Sequence, residues 1–185
     1  MKKQPEVTAK TKEALVLAFC TLYMKKPINK ISIKEITDLS GYNRSTFYQY
    51  FFDVYDLLEY IENDLIETMR KSLDERYEAL LFPNLNLLLA LFAEKENYLK
   101  AILSDYGSFH FIDRIKKEFS LTESEKASTQ FGNLISYLIE FHLSTSFSLF
   151  RIWFKNGKDI PAEELLKLIH NLYTKGISTF DGIVG

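Results

Sequence analysis

The sequence predicts an all-α protein, and three observations carry that prediction. Seven glycines and four prolines in 185 residues are about half the share usual in globular chains, too few for the many tight turns of a strand-rich fold. Apolar residues recur at intervals of three and four over long stretches, the period of an amphipathic helix. Helix-start chemistry occurs three times in close succession between residues 32 and 57. With 46% hydrophobic and 26% charged residues, the balance is that of a folded, soluble chain.

The first helix is expected over about residues 8–25, with Ala14, Leu15, Ala18, Phe19, Leu22 and Tyr23 as its apolar stripe, and Pro27 stops it. Ser32 and Glu35 have the spacing of a capping box, with Ile31 and Ile36 as a hydrophobic staple. A second helix therefore starts at Ile33 and ends at Gly41, the left-handed position that suits glycine. Asn43 caps a third helix from Arg44 to about Phe51, with Tyr42 and Phe47 as staple. Asp53 caps a fourth, with Phe52 and Leu57 as staple. It runs from Val54 to about Leu81, turns Leu57, Leu58, Ile61, Leu65, Ile66, Met69 and Leu73 inward, and ends at Pro83.

Two shorter helices are expected over 84–93 and 96–104, and another over 109–119 after Gly107. A polar start at 122–126 leads into a long helix that reaches Phe154 and ends at Gly157. Pro161 suits the first turn of the last helix, which extends to about Phe180.

Several function classes are disfavoured. One cysteine, Cys20, excludes an intramolecular disulfide framework and a cysteine zinc site. Cys20 lies on the apolar side of the first helix and reads as a small core residue rather than a redox sensor. His110, His142 and His170 lie far apart, with no pair at i,i+4, so no metal site is expected. There is no Ser-His-Asp logic, glycine-rich phosphate loop or paired-carboxylate motif, so neither an enzyme nor a cofactor is expected. No apolar run approaches the 18 or so residues that span a bilayer, and the first residues lack a signal-peptide core. The expected location is the cytoplasm.

The net charge of −2 hides an asymmetry. Residues 1–50 hold nine Lys/Arg and four Asp/Glu, whereas the rest hold fourteen and twenty-one. A basic head on an acidic body points to a polyanionic partner for the head alone. The second and third helices around Gly41 have the proportions of a helix-turn-helix, whose second helix enters the DNA major groove. That helix turns Arg44, Ser45, Thr46, Tyr48, Gln49 and Tyr50 outward while Phe47 and Phe51 anchor it. Arg bonds guanine in bidentate fashion, Ser and Thr bond bases or phosphates, and tyrosine hydroxyls donate to phosphates. The spacing alone leaves open a small helical bundle whose polar helix faces water.

The stretch Ile31-Ser32-Ile33-Lys34-Glu35-Ile36, continued by Gly41-Tyr42-Asn43-Arg44-Ser45-Thr46-Phe47-Tyr48-Gln49-Tyr50-Phe51 and the pair Leu57-Leu58, resembles the DNA-binding domain of TetR (tetracycline-repressor-like) transcriptional regulators. The resemblance covers about 50 residues, and Phe150 to Gly157 followed by Pro161 also resembles the end of many members. It implies an N-terminal three-helix DNA-binding domain over 1–52 and a C-terminal helical domain over 53–185 for effector binding and dimerisation. It places Lys34, Asn43, Arg44, Ser45 and Tyr48 where members reach bases. Ser32, Thr46, Tyr48, Gln49 and Tyr50 fall at phosphate positions. Two residues depart from the pattern: Thr37 replaces a small alanine, and Val54 stands in place of a lysine. Val54 is expected at an exposed helix start, where replacing it costs little.

The C-terminal body argues for pairing in its own right. The helix over about 125–154 carries one apolar stripe of Phe131, Leu134, Ile135, Leu138, Phe141 and Leu149, and another of Ile139, Leu143, Phe147 and Phe150. A helix apolar all round is buried all round, and a second copy covers a peripheral face most readily. The last helix repeats the pattern through Leu165, Leu166, Leu168, Ile169, Leu172, Tyr173 and Ile177. The reading is a homodimer with a four-helix interface.

Tyr98, Phe109, His110, Tyr137, Phe141, His142 and Thr145 are the candidate effector-binding residues, with His142 and Tyr137 as anchors. Between Arg76 and Arg114 the only cations are Lys95 and Lys100. An apolar or aromatic effector therefore fits better than a phosphorylated one. The expected function is a DNA-binding regulator, a repressor released from its operator by that effector. The alternative is a co-regulator of the same fold controlled by a protein partner.

Overall fold

In a computed structural model, residues 5–72, 85–107, 109–118 and 132–176 are described. Among them every regular element is helical: α1 (Pro5–Tyr23), a short 3-10 turn (Ile28–Lys30), α2 (Ile33–Ser40), α3 (Arg44–Phe47), α4 (Val54–Ser72), α5 (Leu85–Ile102), α6 (Phe109–Glu118), α7 (Leu134–Lys155) and α8 (Ala162–Lys175). The fold is all-α, as the breaker-poor composition predicts. The expected end of the fourth helix at Leu81, the polar start at 122–126 and the end of the last helix at Phe180 lie outside the described residues. None of the described helices is long and apolar enough to cross a membrane.

Packing divides the chain into two compact units, Met1–Glu67 with Lys95–Ser108 and Thr68–Glu94 with Phe109–Gly185. In the first unit, Leu15, Phe19 and Tyr23 of α1 are buried, as are Ile36 of α2, Phe47 of α3, and Leu57, Ile61 and Leu65 of α4. Each such side chain contributes roughly 1.5–3 kcal/mol by leaving water. Cys20 is buried with them, and burial pushes its thiol up to about 12, which keeps it protonated and inert. Thr37, the departure in α2, is buried too. Its hydroxyl donates to the carbonyls of Ile33 and Lys34 at 3.0 and 2.9 Å, so the extra oxygen is satisfied within the helix.

In the second unit, Phe92, Phe111, Ile115, Ile135, Phe147, Phe150, Trp153 and Leu166 are buried. Phe92 packs on Phe150 with centroids 4.7 Å apart and edge-on to Trp153 at 5.8 Å. Trp153 Nε1 donates to the Ile160 carbonyl at 2.7 Å, which ties the turn before α8 back to α7.

Several boundaries differ from the sequence expectation for local reasons. α1 starts at Pro5, a residue well suited to a first turn. α3 closes at Phe47; Gln49 and Tyr50 then bond back three residues, to Thr46 and Phe47, at 3.2 and 3.0 Å, a tighter 3-10 winding. The two helices expected over 84–93 and 96–104 are one, α5, with a break at Lys95 (φ −113°, ψ 22°). Lys95 pairs there with Asp64 of α4 at 2.7 Å.

Two side chains at the start of α4 are the reverse of expectation. Phe52, expected to staple onto Leu57, is 80% exposed, while Val54, expected at an exposed position, is only 9% exposed. Asp53 caps the helix as expected, with Val54 facing the core and Phe52 facing solvent. A lysine at 54 would bury its stem there, so the expected low cost of replacing Val54 does not hold.

α7 also differs. Ile135, Ile139, His142, Leu143, Ser146, Phe147, Phe150 and Trp153 are buried, but Leu134, Tyr137, Phe141 and Ile152 are exposed in the single chain.

Candidate nucleic-acid interface

The start of α2 is a complete capping box. Ser32 Oγ accepts from the Glu35 amide at 3.3 Å, and the Glu35 carboxylate accepts from the Ser32 amide at 3.0 Å and from its hydroxyl at 2.9 Å. Lys26 donates to the same carboxylate. Lys26, followed by the two Ser32 donors, holds the Glu35 carboxyl down at about 2. The charge at the mouth of α2 is thus fixed across physiological pH, and it complements the helix dipole. At the far end Gly41 takes the left-handed conformation (φ 76°, ψ 15°), and its amide and that of Tyr42 both donate to the Thr37 carbonyl. Any side chain with a Cβ is strained at that φ, so the turn between the two helices depends on glycine.

Asn43 starts α3 in the same economical way. Its Oδ1 accepts from the Thr46 amide at 2.8 Å, the Ser45 hydroxyl at 2.7 Å and the Thr46 hydroxyl at 3.0 Å. Phe47 and Phe51 are buried beneath, and the other face of the segment is open. Asn43, Arg44, Ser45, Tyr48 and Gln49 are exposed, Tyr48 at 59%, and Thr46 is half-buried; Tyr50, expected to face outward, is half-buried with its hydroxyl buried. On α2, Ser32 and Lys34 are exposed. Among the described residues no carboxylate pairs with Arg44, so its five donors face solvent. Asp53 Oδ1 accepts from the amides of Tyr55 and Asp56 at 2.8 and 2.9 Å, and Asp56 reaches back to the Phe52 amide at 2.7 Å.

All nine residues marked as DNA contacts therefore belong to one unit, on two short capped helices and the turn after them. Sequence reasoning missed the exposed aromatics around the start of α4, Phe52 and Tyr55, because apolar residues beside a cap read as staples.

The residues marked for an effector are spread more widely. Phe141, His142 and Thr145 line a shallow groove of about 20 Å³ between α7 and α8, with Ser146, Leu149, Ile169, Leu172 and Tyr173. Tyr137 is on α7 but 75% exposed, and His110 is exposed on α6. Tyr98 is half-buried in the other unit, where burial pushes its phenol up. The side chain of Phe109 lies outside what is described. Among the described residues no cluster of three or more His, Cys, Asp or Glu is arranged to hold a metal ion.

His142 is buried and meets Tyr173 edge-on at 4.4 Å. Burial pushes its imidazole down to about 4. The unfolded value is near 6.5, so between the two the unfolded chain binds more protons than the folded one. Stability is then complete above pH 6.5 and declines as the pH falls toward 4, by up to about 1.4 kcal/mol per pH unit. Urea titrations at several pH values should show that decline in the wild type and not in His142→Gln. The same slope in both would mean that other groups cause it.

The comparisons with known proteins bear on the fold. A solved TetR transcriptional regulator from Streptococcus agalactiae 2603V superposes with a TM-score of 0.56 at 23% identity, over 91% of this chain and 96% of that one. The fold is TetR-like. Neither a family model nor a curated protein matches the sequence. In this chain α2, the Gly41 turn and α3 form a helix-turn-helix, with a side-chain cap at the start of each helix.

Proposed function

We propose that the chain is a DNA-binding transcriptional regulator that works in the cytoplasm as a homodimer, a repressor released from its operator by a small apolar or aromatic effector. The observation that carries this reading is the capped helix-turn-helix with Arg44, Ser45, Tyr48 and Gln49 facing solvent over a fixed aromatic base. Residues 1–52 bind the operator, and 53–185 hold the effector and the partner copy. Lys34, Asn43, Arg44, Ser45 and Tyr48 face bases; Ser32, Thr46 and Gln49 lie along the phosphates, with Tyr48 shared, and Tyr50 stands behind them with its hydroxyl buried. The likeness to the S. agalactiae regulator supports it at the level of fold.

Pairing is supported by α7. At 100° per residue, Leu134, Tyr137, Phe141 and Ile152 fall within an arc of about 60°, and all four are exposed in the single chain. Exposed apolar residues gathered on one helix face, here interrupted by Thr145 and Ser148, mark an interface, and a second copy presents the same face back to it. Effector binding would move α4 and with it the separation of the two recognition helices. Half-sites about 34–36 Å apart tolerate little change in that separation.

Arg44→Ala should cost roughly 1–3 kcal/mol in operator affinity and relax one base position in each half-site. The check is a binding titration, at matched salt, on duplexes that the wild type selects from a random-sequence library. Unchanged affinity and unchanged base preference would refute the recognition-helix assignment.

A second reading is favoured by one measurement. The free space in the groove at His142, about 20 Å³, is far below the roughly 300–1,000 Å³ of small-molecule sites, which suits control by a protein partner. Mass spectrometry of the purified protein under native conditions separates the two. A bound small molecule supports the effector, and its absence together with no melting shift from aromatic or fatty acids supports the partner.

A further inference from the structure

Lys12 on α1 is half-buried and has no carboxylate partner among the described residues. Its ammonium lies instead over aromatic rings, 3.6 Å from the centroid of Tyr60 on α4 and 5.5 Å from that of Phe51. A cation is drawn to the electron-rich face of a ring, more strongly as water is excluded. The Tyr60 phenol is pushed up, first by burial and then by the charge of Asp64, so the ring under the ammonium stays neutral.

From Tyr60 a run of ring contacts leads to the recognition face. Tyr60 meets Phe51 at 5.6 Å, Phe51 meets Phe47 at 5.7 Å, and Phe47 meets Tyr48 edge-on at 5.8 Å. Phe47 and Phe51 are buried, and Tyr48 is exposed among the residues assigned to DNA. The segment between Phe47 and Phe51 is short, and its winding is 3-10-like, so its orientation depends on what its two phenylalanines rest against.

We propose that Lys12 is a positioning residue for DNA recognition: seated on Tyr60 and beside Phe51, it holds the ring series that fixes Phe47, Tyr48 and the recognition segment in one orientation. This inference rests on the DNA-binding reading above. It differs from a phosphate contact, because Lys12 acts through Tyr60 and Phe51 and not on the nucleic acid. It also differs from plain stabilisation, because the rings end on a contact residue.

The test uses the full chain and duplexes selected by the wild type from a random-sequence library. Lys12→Met keeps the stem and removes the charge. It should bind about fivefold more weakly, with the slope of log K against log salt unchanged. Lys12→Arg should restore affinity, since guanidinium also sits on aromatic faces. Tyr60→Leu should reproduce the loss, and the double variant should lose little more. Hydrogen exchange at the amides of Tyr48, Tyr50 and Phe51 should quicken in Lys12→Met while that of α7 does not change.

Wild-type affinity in Lys12→Met overturns the proposal, as does a salt slope shallower by about 0.9, the mark of a lost phosphate contact. Unchanged exchange at residues 48–51 overturns it without any DNA. A wild type that selects no duplex overturns the DNA reading itself, a result separate from failure of the variant.

Discussion

Phe47→Ala is expected to lower the stability of the N-terminal unit by about 3–5 kcal/mol. Phe47 is fully buried, and its ring meets those of Tyr48 and Phe51. The segment it anchors has only four residues of regular helix, too short to hold itself in place. Removing the ring leaves a cavity under the recognition helix and takes away its support together. Since folding free energies are about 5–15 kcal/mol, the urea midpoint should fall sharply, and DNA binding should disappear even where the protein is still folded. Phe52→Ala is the control. Five residues away and 80% exposed, it should change stability by no more than about 0.5 kcal/mol. A loss under about 1 kcal/mol in Phe47→Ala would mean that the core beneath α3 is not as described.

Phe141→Glu is expected to convert dimers to monomers. In the single chain Phe141 is 59% exposed, so a carboxylate there is solvated and the protomer folds normally. In a dimer built on the α7 stripe the same carboxylate is buried without a partner, at a cost of several kcal/mol. That corresponds to at least a hundredfold weaker dimerisation. Sedimentation equilibrium at micromolar concentration measures it directly, with circular dichroism confirming an unchanged helix content. Operator affinity should fall as well, because each monomer holds one half-site. A variant that still sediments as a dimer, or a wild type that sediments as a monomer, would rule out this face.

What could be read from the sequence was local. The capping box of Ser32 and Glu35, the Asn43 cap and the Gly41 turn depend on residues within three or four positions of one another, and each formed as its spacing predicts. The orientation of Phe52 and Val54 depends on what lies across the core from the start of α4, which no neighbouring residue encodes. α7 was hard to read for a different reason. With apolar residues on nearly every side, its period does not distinguish the face packed in its own unit from the face of Leu134, Tyr137, Phe141 and Ile152. The effector candidates rest on composition, and helical spacing does not reveal that Tyr98 belongs to a different unit from His142.

The cap at Asn43 fixes the direction in which two hydroxyl protons point. Its Oδ1 receives both the Ser45 and the Thr46 hydroxyl protons, and a carbonyl oxygen has none to return. A free serine or threonine offers a proton or a lone pair as its partner requires, but these two present lone pairs only. Phosphate oxygens offer lone pairs as well, so Thr46 meets one by turning its hydroxyl proton away from Asn43, while its amide keeps the cap. Ser45, by contrast, accepts a proton from the amino group of cytosine or adenine with nothing rearranged. In the proposed complex the half-site is read with fixed polarity: Arg44 supplies donors to guanine, Ser45 supplies an acceptor to an amino base, and a thymine at the Ser45 step sets its O4 against another acceptor.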